Sequence, residues 1–287
     1  MSFWMVVMLL VVIPQPDLWA QQRPSAKPPA KTSAKSTADA SVVPAEPTID
    51  TVGNWRHIEQ RRLGRYKTLL PPDYATTALR YPMVLLLHGN GNSPELLLGW
   101  FRRLKLDSLI VVVPEAPYVK IPETVGKRQG AYTGVADAIG APDSLRGESI
   151  ELTARWYADV MDDARRSYRI DTSKGTIVVG YSQGGFFAHI LLTLVPESLA
   201  GVASISASVY PSWNVQSRFV SVPLPRPPVF VAHGVADPIV PYAVGQSYRA
   251  ALDAAGFSPE FHPFDGGHWP TPEIERELTR WIMSIIR

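Results

Sequence analysis

Short, wholly apolar runs alternate along most of this chain with longer stretches in which apolar residues recur every three or four positions. The apolar runs are residues 83–87 (Met-Val-Leu-Leu-Leu), 109–113 (Leu-Ile-Val-Val-Val), 176–179, 202–205 and 229–232. Uninterrupted runs of this length predict strands covered on both faces. Residues 65–70 instead alternate polar and apolar and stop at Pro71-Pro72, which predicts an outer antiparallel strand. Residues 260–264 read as a last strand, and helices are predicted over 94–103, 148–168, 185–194, 242–255 and 272–286. The alternation implies an α/β fold, a mostly parallel central sheet with helices on both faces, in a single domain over residues 51–287. No internal repeat is visible.

Three segments depart from this rhythm. Residues 2–13 are continuously apolar, too short for a typical membrane-spanning helix, and end at Pro14 and Pro16. Leu18-Trp19-Ala20 offers a cleavage site, so residues 1–20 predict a signal peptide, export to the periplasm or medium, and no stable membrane span after cleavage. Only the α-amino group charges the leading end, and a retained N-terminal anchor or a misassigned start are the alternatives. Residues 21–50 are rich in Pro, Ala, Ser, Thr and Lys and poor in aromatics, a composition that predicts a disordered linker. Residues 119–146 fit no regular element and read as an insertion between a core strand and a core helix, either a lid or pocket wall or a surface excursion.

Composition narrows the function. At 287 residues and 46% hydrophobic, the chain can bury one large core. Its 28 basic and 26 acidic residues nearly balance, and the densest basic spots, Arg61-Arg62 and Lys127-Arg128, are short. Nucleic acid is therefore not an expected partner. With no cysteine, zinc-thiolate sites, disulfides and thiol nucleophiles are excluded.

The candidate chemistry centres on Gly180-Tyr181-Ser182-Gln183-Gly184-Gly185. A β-branched run, Thr176-Ile177-Val178-Val179, precedes it and the apolar Phe186-Phe187-Ala188-His189-Ile190-Leu191-Leu192 follows. Strand, G-x-S-x-G and helix form the context of a nucleophile elbow, although a Gly/Ser-rich turn alone would also read this way. A serine hydroxyl needs a base to take its proton and a third group to orient that base. In this context the chain order is Ser, then acid, then His. Asp237 follows the run 229–232 in His233-Gly234-Val235-Ala236-Asp237-Pro238, where an Asp-Pro turn is the plainer alternative. His268 lies in Gly266-Gly267-His268-Trp269-Pro270; of the six histidines, the others fit the base role poorly. Asp265 is a rival acid, too near His268 in sequence. For the developing oxyanion, the backbone N–H of Gln183 is one expected donor and that of Asn90, in Leu87-His88-Gly89-Asn90-Gly91-Asn92-Ser93, the other. Ser93 would cap the next helix.

Together, Leu87-His88-Gly89, the Gly180 hexapeptide, His233-Gly234-x-x-Asp237-Pro238-x-Val240-Pro241 and Gly267-His268 resemble the α/β-hydrolase superfamily. Within it the chain is most similar to the phospholipase/carboxylesterase family, which includes acyl-protein thioesterases and bacterial carboxylesterases. Ile170-Asp171 also fits, whereas Leu70-Pro71-Pro72-Asp73-Tyr74 looks more like exported feruloyl esterases and polyhydroxyalkanoate depolymerases. The resemblance implies Ser182 as nucleophile, His268 as general base then acid, Asp237 as orienter, and Asn90 and Gln183 as backbone donors. It implies two-step hydrolysis of a small-molecule or polymer-linked ester or thioester, without metal or organic cofactor. A serine peptidase of the prolyl-oligopeptidase type and a non-catalytic binding protein on the same scaffold are the alternatives. Trp100, Phe101 and Trp269 could shape an acyl pocket or be ordinary core.

Overall fold

Strand β2 (Met83–Leu87) carries the logic of the whole sheet. All five residues are buried; Met83, Leu85 and Leu87 join one apolar cluster, while Val84 and Leu86 join another. Side chains of a strand alternate between faces, so an uninterrupted apolar run is what two covered faces require. The computed structural model describes residues 63–120, 131–136 and 142–287. The segments read as signal peptide and linker, and the basic pairs Arg61-Arg62 and Lys127-Arg128, lie outside them.

In chain order the elements are β1 (Tyr66–Leu69), β2, α1 (Pro94–Arg102), β3 (Ile110–Pro114), β4 (Tyr118–Lys120), β5 (Ala131–Thr133), α2 (Asp143–Ser167), β6 (Thr176–Tyr181), α3 (Gln183–Leu194), β7 (Leu199–Ile205), β8 (Val229–Gly234), α4 (Tyr242–Ala254), β9 (Glu260–Phe264) and α5 (Pro272–Ile286). Seven strands form one sheet in the order β1-β3-β2-β6-β7-β8-β9. Among the described residues of this sheet only β1 runs antiparallel, against β3, as its alternating sequence suits at an edge. Helices α2, α3 and α4 cover one face; α1 and α5 cover the other. This is the α/β-hydrolase arrangement, and the described residues fall within one compact unit.

Two helices show how burial follows pattern. In α5, Ile274, Leu278, Trp281 and Ile282 are buried on one stripe, and Thr271 caps the start by accepting from the Ile274 amide. Helix α3 is buried from Gln183 through Leu192, so it is apolar on every side and packs in the centre of the molecule. At α1, Ser93 occupies the cap position, but its side chain makes no capping bond to the helix.

The insertion differs from its expected irregularity. Strands β4 and β5 pair antiparallel as a separate two-stranded sheet, and α2 begins at Asp143 rather than at 148. Three-residue strands are too short to show a period, and the first turn of α2, Asp143-Ser144-Leu145-Arg146, is polar apart from one leucine. Whether the segment covers the site as a lid involves residues outside the described ones. Among the described residues, no helix is long and apolar enough to cross a membrane.

The sheet order fixes where a site can form. The chain goes from β2 to β3 on one side, then returns to place β6 on the other side of β2. Open α/β sheets bind ligands at such a reversal, beyond the carboxyl ends of the strands. The loop of Asn90 follows β2, and Ser182 follows β6.

Candidate active site

Ser182 is the single residue between β6 and α3, with φ 55° and ψ −117°. A side chain at positive φ is strained, and persists only where the surroundings over-determine it. Here they do. The Ser182 amide donates to Ile205 O at 2.9 Å, and its carbonyl accepts from Gly185 N at 3.0 Å and Ser208 N at 3.1 Å. A Cβ on Gly180 would stand 2.1 Å from Gly184 O, and one on Gly184 would stand 2.1 Å from Leu87 O. Both positions are therefore closed to every residue but glycine, which gives the G-x-S-x-G spacing its physical content.

The structure brings Ser182, His268 and Asp237 together. His268 Nε2 lies 2.9 Å from Ser182 Oγ, and its Nδ1 lies 2.7 Å from Asp237 Oδ2. The other carboxylate oxygen accepts from the amides of Ile239 at 2.8 Å and Val240 at 2.9 Å, and the Asp237 side chain is fully buried. Burial works to raise its pKa, but the bonds from His268 and from the two amides outweigh it and hold the carboxyl below its ordinary value. An ionised carboxylate only accepts, so Nδ1 carries the imidazole proton and Nε2 presents a lone pair to the serine hydroxyl. Asp265, the rival acid, is exposed and makes no such contact with His268.

The acid and base loops are also joined to each other. Val235 N donates to Phe264 O at 2.9 Å and Ala236 N to Gly266 O at 3.1 Å. A Cβ on Gly234 would meet Gly267 O at 2.1 Å, so the two loops touch backbone to backbone. Trp269 packs on Tyr181 with ring centroids 4.7 Å apart and on Trp100 at 6.0 Å. Trp100 and Phe101 are buried core residues and do not line the cavity beside Ser182.

Two further histidines end apolar strands, each before a glycine. His88 is buried; its Nε2 accepts from Ala116 N at 3.1 Å, so Nδ1–H donates to Gly89 O at 2.9 Å. His233 donates through Nε2–H to Val240 O at 2.9 Å, and that nitrogen is 3.4 Å from Asp237 Oδ2. Burial pushes the pKa of both below the ordinary histidine value, which keeps both rings neutral supports of their loops. Both histidines belong to the Leu87-His88-Gly89 and His233-Gly234 motifs that carry the family resemblance, where an apolar run ends in His-Gly at 85–89 and 230–234.

Residues 89–92 form a β-turn closed by Asn92 N donating to Gly89 O at 3.2 Å, with Gly91 at φ 72° in the third position. A Cβ on Gly89 would lie 3.1 Å from Ser182 Cβ, so this turn abuts the serine. Asn90 and Ser182 share the wall of a cavity of about 450 Å³. Its apolar lining includes Val209, Ile239 and Val244, and Tyr210 and Asn92 add polar groups. The size is that of a small-ligand site, with Ser182 and His268 both on its wall. Gln183 opens α3, so its N–H lies in the first turn, where the helix supplies no acceptor. Tyr210, Thr133 and Gly134, which contact the Gln183 side chain, were invisible to sequence reasoning because none sits in a local motif.

Comparison with known proteins gives the same direction. The phospholipase/carboxylesterase family matches residues 77–282. A Neurospora crassa protein named acyl-protein thioesterase 1 is 27% identical over 72% of this chain and 86% of its own length. A probable carboxylesterase of Oryza sativa subsp. japonica is 28% identical over 76% of this chain and 84% of its own. Among solved structures, that of the esterase PE8 superposes with a TM-score of 0.59 at 23% identity, covering 77% of this chain and 99% of PE8, a likeness of fold. Sheet order, strand-end loops and a family match across most of the folded part agree: the chain belongs to the phospholipase/carboxylesterase family of α/β-hydrolases.

Proposed function

We propose that this serine esterase hydrolyses carboxylic esters or thioesters by a Ser182-His268-Asp237 triad, through an acyl-enzyme on Ser182. The observation that carries the reading is the 2.9 Å approach of His268 Nε2 to a serine held at φ 55°. In the first step His268 Nε2 takes the hydroxyl proton as Ser182 Oγ bonds to the acyl carbon. The carbonyl oxygen becomes an oxyanion, stabilised by the Asn90 and Gln183 backbone N–H groups. Collapse of this intermediate breaks the bond to the leaving alcohol or thiol, which leaves with the proton from His268. Water then attacks the acyl-enzyme with His268 as base, and the serine regains its proton. Asp237 accepts from Nδ1 throughout and favours the imidazolium that forms in each half. The nucleophile, base and donors all come from the protein, so these steps call for no metal or organic cofactor.

The relative named as an acyl-protein thioesterase supports including thioesters. The cavity, with apolar walls beside a polar turn, supports an ester whose acyl or alcohol part is small, free or carried on a polymer. The apolar run at 2–13 supports export, which cell fractionation of the full chain checks against a cytosolic marker.

A fluorophosphonate should label the folded protein at one site, and Ser182→Ala should abolish both labelling and turnover of p-nitrophenyl esters. Asp237→Asn should lower kcat by about 10⁴ with the fold intact, because the amide favours the wrong imidazole tautomer. Absence of labelling in folded protein overturns the reading, and preference for peptide anilides over esters would move it to a peptidase.

A further inference from the structure

The residues at the end of β5 touch both loops that carry the proposed oxyanion donors. Tyr132 exchanges two backbone hydrogen bonds with the Asn90 turn: Gly91 N donates to Tyr132 O at 2.9 Å, and Tyr132 N donates to Asn92 O at 3.0 Å. The next two residues hold the side chain of Gln183. Gly134 N donates to Gln183 Oε1 at 2.7 Å, and Thr133 Oγ1 lies 3.2 Å from the same oxygen. On its other side, Gln183 Nε2 donates to Tyr210 OH at 2.7 Å, and Tyr210 lines the cavity. Both Gln183 and Thr133 are buried.

This strand end is itself fixed. Thr153 of α2 donates to Gly134 O at 2.6 Å, and a Cβ on Gly134 would stand 2.3 Å from the ring of Phe187. The insertion thus meets the elbow through α2 and α3 at one end and the Asn90 turn at the other.

We propose that Gln183 is a positioning residue whose side chain, locked by Thr133, Gly134 and Tyr210, sets the backbone donors of Gln183 and Asn90 in register across the oxyanion site. The proposal rests on the assignment of those two N–H groups under the esterase reading. Ser182 and its glycines fix the turn, but they place no bond between the turn and the Asn90 loop except close packing. The β2–β6 ladder, which pairs Leu87 with Gly180, aligns the strand ends from which the two loops leave, and beyond it three consecutive residues, 132–134, join the loops themselves. Oxyanion stabilisation depends on donors already in place when charge develops, and displacement by a fraction of an ångström weakens it. The buried amide of Gln183 is suited to this, because it accepts on one side and donates on the other. The described end of the segment that sequence alone left as either a lid or a surface excursion thereby has a task of its own, joining the two donor loops.

The test compares Gln183→Met, which keeps length and burial but removes all three bonds, with Thr133→Val and the double variant. Steady-state kinetics on a p-nitrophenyl ester are read beside a thermal melt, with Ser182→Ala as control. Expected are a fall in kcat of about 10- to 100-fold for Gln183→Met with KM changed less than about threefold, and a smaller fall for Thr133→Val. The double variant should be no worse than Gln183→Met alone, because both substitutions break one unit. If Gln183→Met does not fold, Thr133→Val carries the test by the same split of kcat from KM. Wild-type kcat in the folded variants, or kcat and KM worsening together, overturns the clamp while leaving the esterase reading intact. Turnover that survives Ser182→Ala overturns the esterase reading and the clamp with it.

Discussion

The two sides of the proposed oxyanion site are built in opposite ways. The Ser182 side is dictated by its own neighbourhood, where Gly180 admits α3 to backbone contact with β6, Gly184 admits α3 to the end of β2, and the serine between them sits at positive φ. The Asn90 side is a short turn whose position is set from afar, by His88 bonding to Ala116 beyond the end of β3 and by Tyr132 of β5. The first kind of geometry is a steric property of a short peptide segment in its sheet. The second exists only once distant elements have docked. A motif search reads the one and passes over the other.

The sharpest way to break this contrast is to add a single methyl group on each side. Gly184→Ala would place Cβ at 2.1 Å from Leu87 O and 2.5 Å from Leu87 C, backbone atoms of the central strand that cannot shift alone. Overpacking typically costs about 1–3 kcal/mol, and a displaced oxyanion donor about 10²–10³ in kcat. Gly91→Ala meets only the flexible Lys120 side chain at 3.8 Å, so its penalty is the left-handed backbone at φ 72°, about 1–2 kcal/mol. Chemical denaturation with ester kinetics should therefore rank Gly184→Ala far below Gly91→Ala in activity. The reverse ranking would mean that the turn, not the elbow, carries the tighter constraint.

What the sequence revealed follows the same division. Strands buried on both faces were legible because five consecutive apolar residues leave few other options, and β2 matches its expected bounds. Ser182, Asp237 and His268 were legible because each follows a strand and sits beside glycine or proline, and the structure brings all three within hydrogen-bond distance. Residues 118–120 and 131–134 were not. Their strands are three residues long, and their bonds run to Asn92 and Gln183, partners that no spacing rule connects. Tyr210 was equally hidden, since a tyrosine in a loop acquires meaning only from the amide it meets.

A gentler probe concerns what the elbow helix buries. His189 of α3 is fully buried, stacks on Tyr248 at 4.3 Å and pairs with Ser204 Oγ at 2.9 Å. Burial lowers its pKa to about 3 from an ordinary 6.5. The folded state thus binds fewer protons than the unfolded one between these values, so stability rises with pH there and is lost as pH falls from 6.5 toward 3. One such group contributes a slope of up to about 1.4 kcal/mol per pH unit. His88 and His233, lowered in the same direction, add to it. His189→Gln, which can still bond Ser204 but does not titrate, should flatten the slope of unfolding free energy between pH 6.5 and 5, above the carboxylate range. An unchanged slope would show that the histidine is protonated in the folded state.

The smallest effect belongs to the Asn90 side and has the opposite sign. Gly99 lies on the exposed face of α1, the helix that follows the Asn90 turn, and a Cβ there would meet nothing within 4 Å. Glycine inside a helix is less favourable than alanine by about 0.5–1 kcal/mol, because it loses more backbone freedom on folding. Gly99→Ala should therefore raise the unfolding free energy by that amount, read as an upward shift in the midpoint of chemical denaturation at unchanged m. Its value lies in what it should leave alone. If the turn takes its position from His88 and Tyr132, stiffening the helix downstream leaves kcat and KM at wild-type values. If α1 instead sets the turn, the extra stability comes with a change in kcat, and the long-range hold argued for this side of the site would have to move from β5 to the helix.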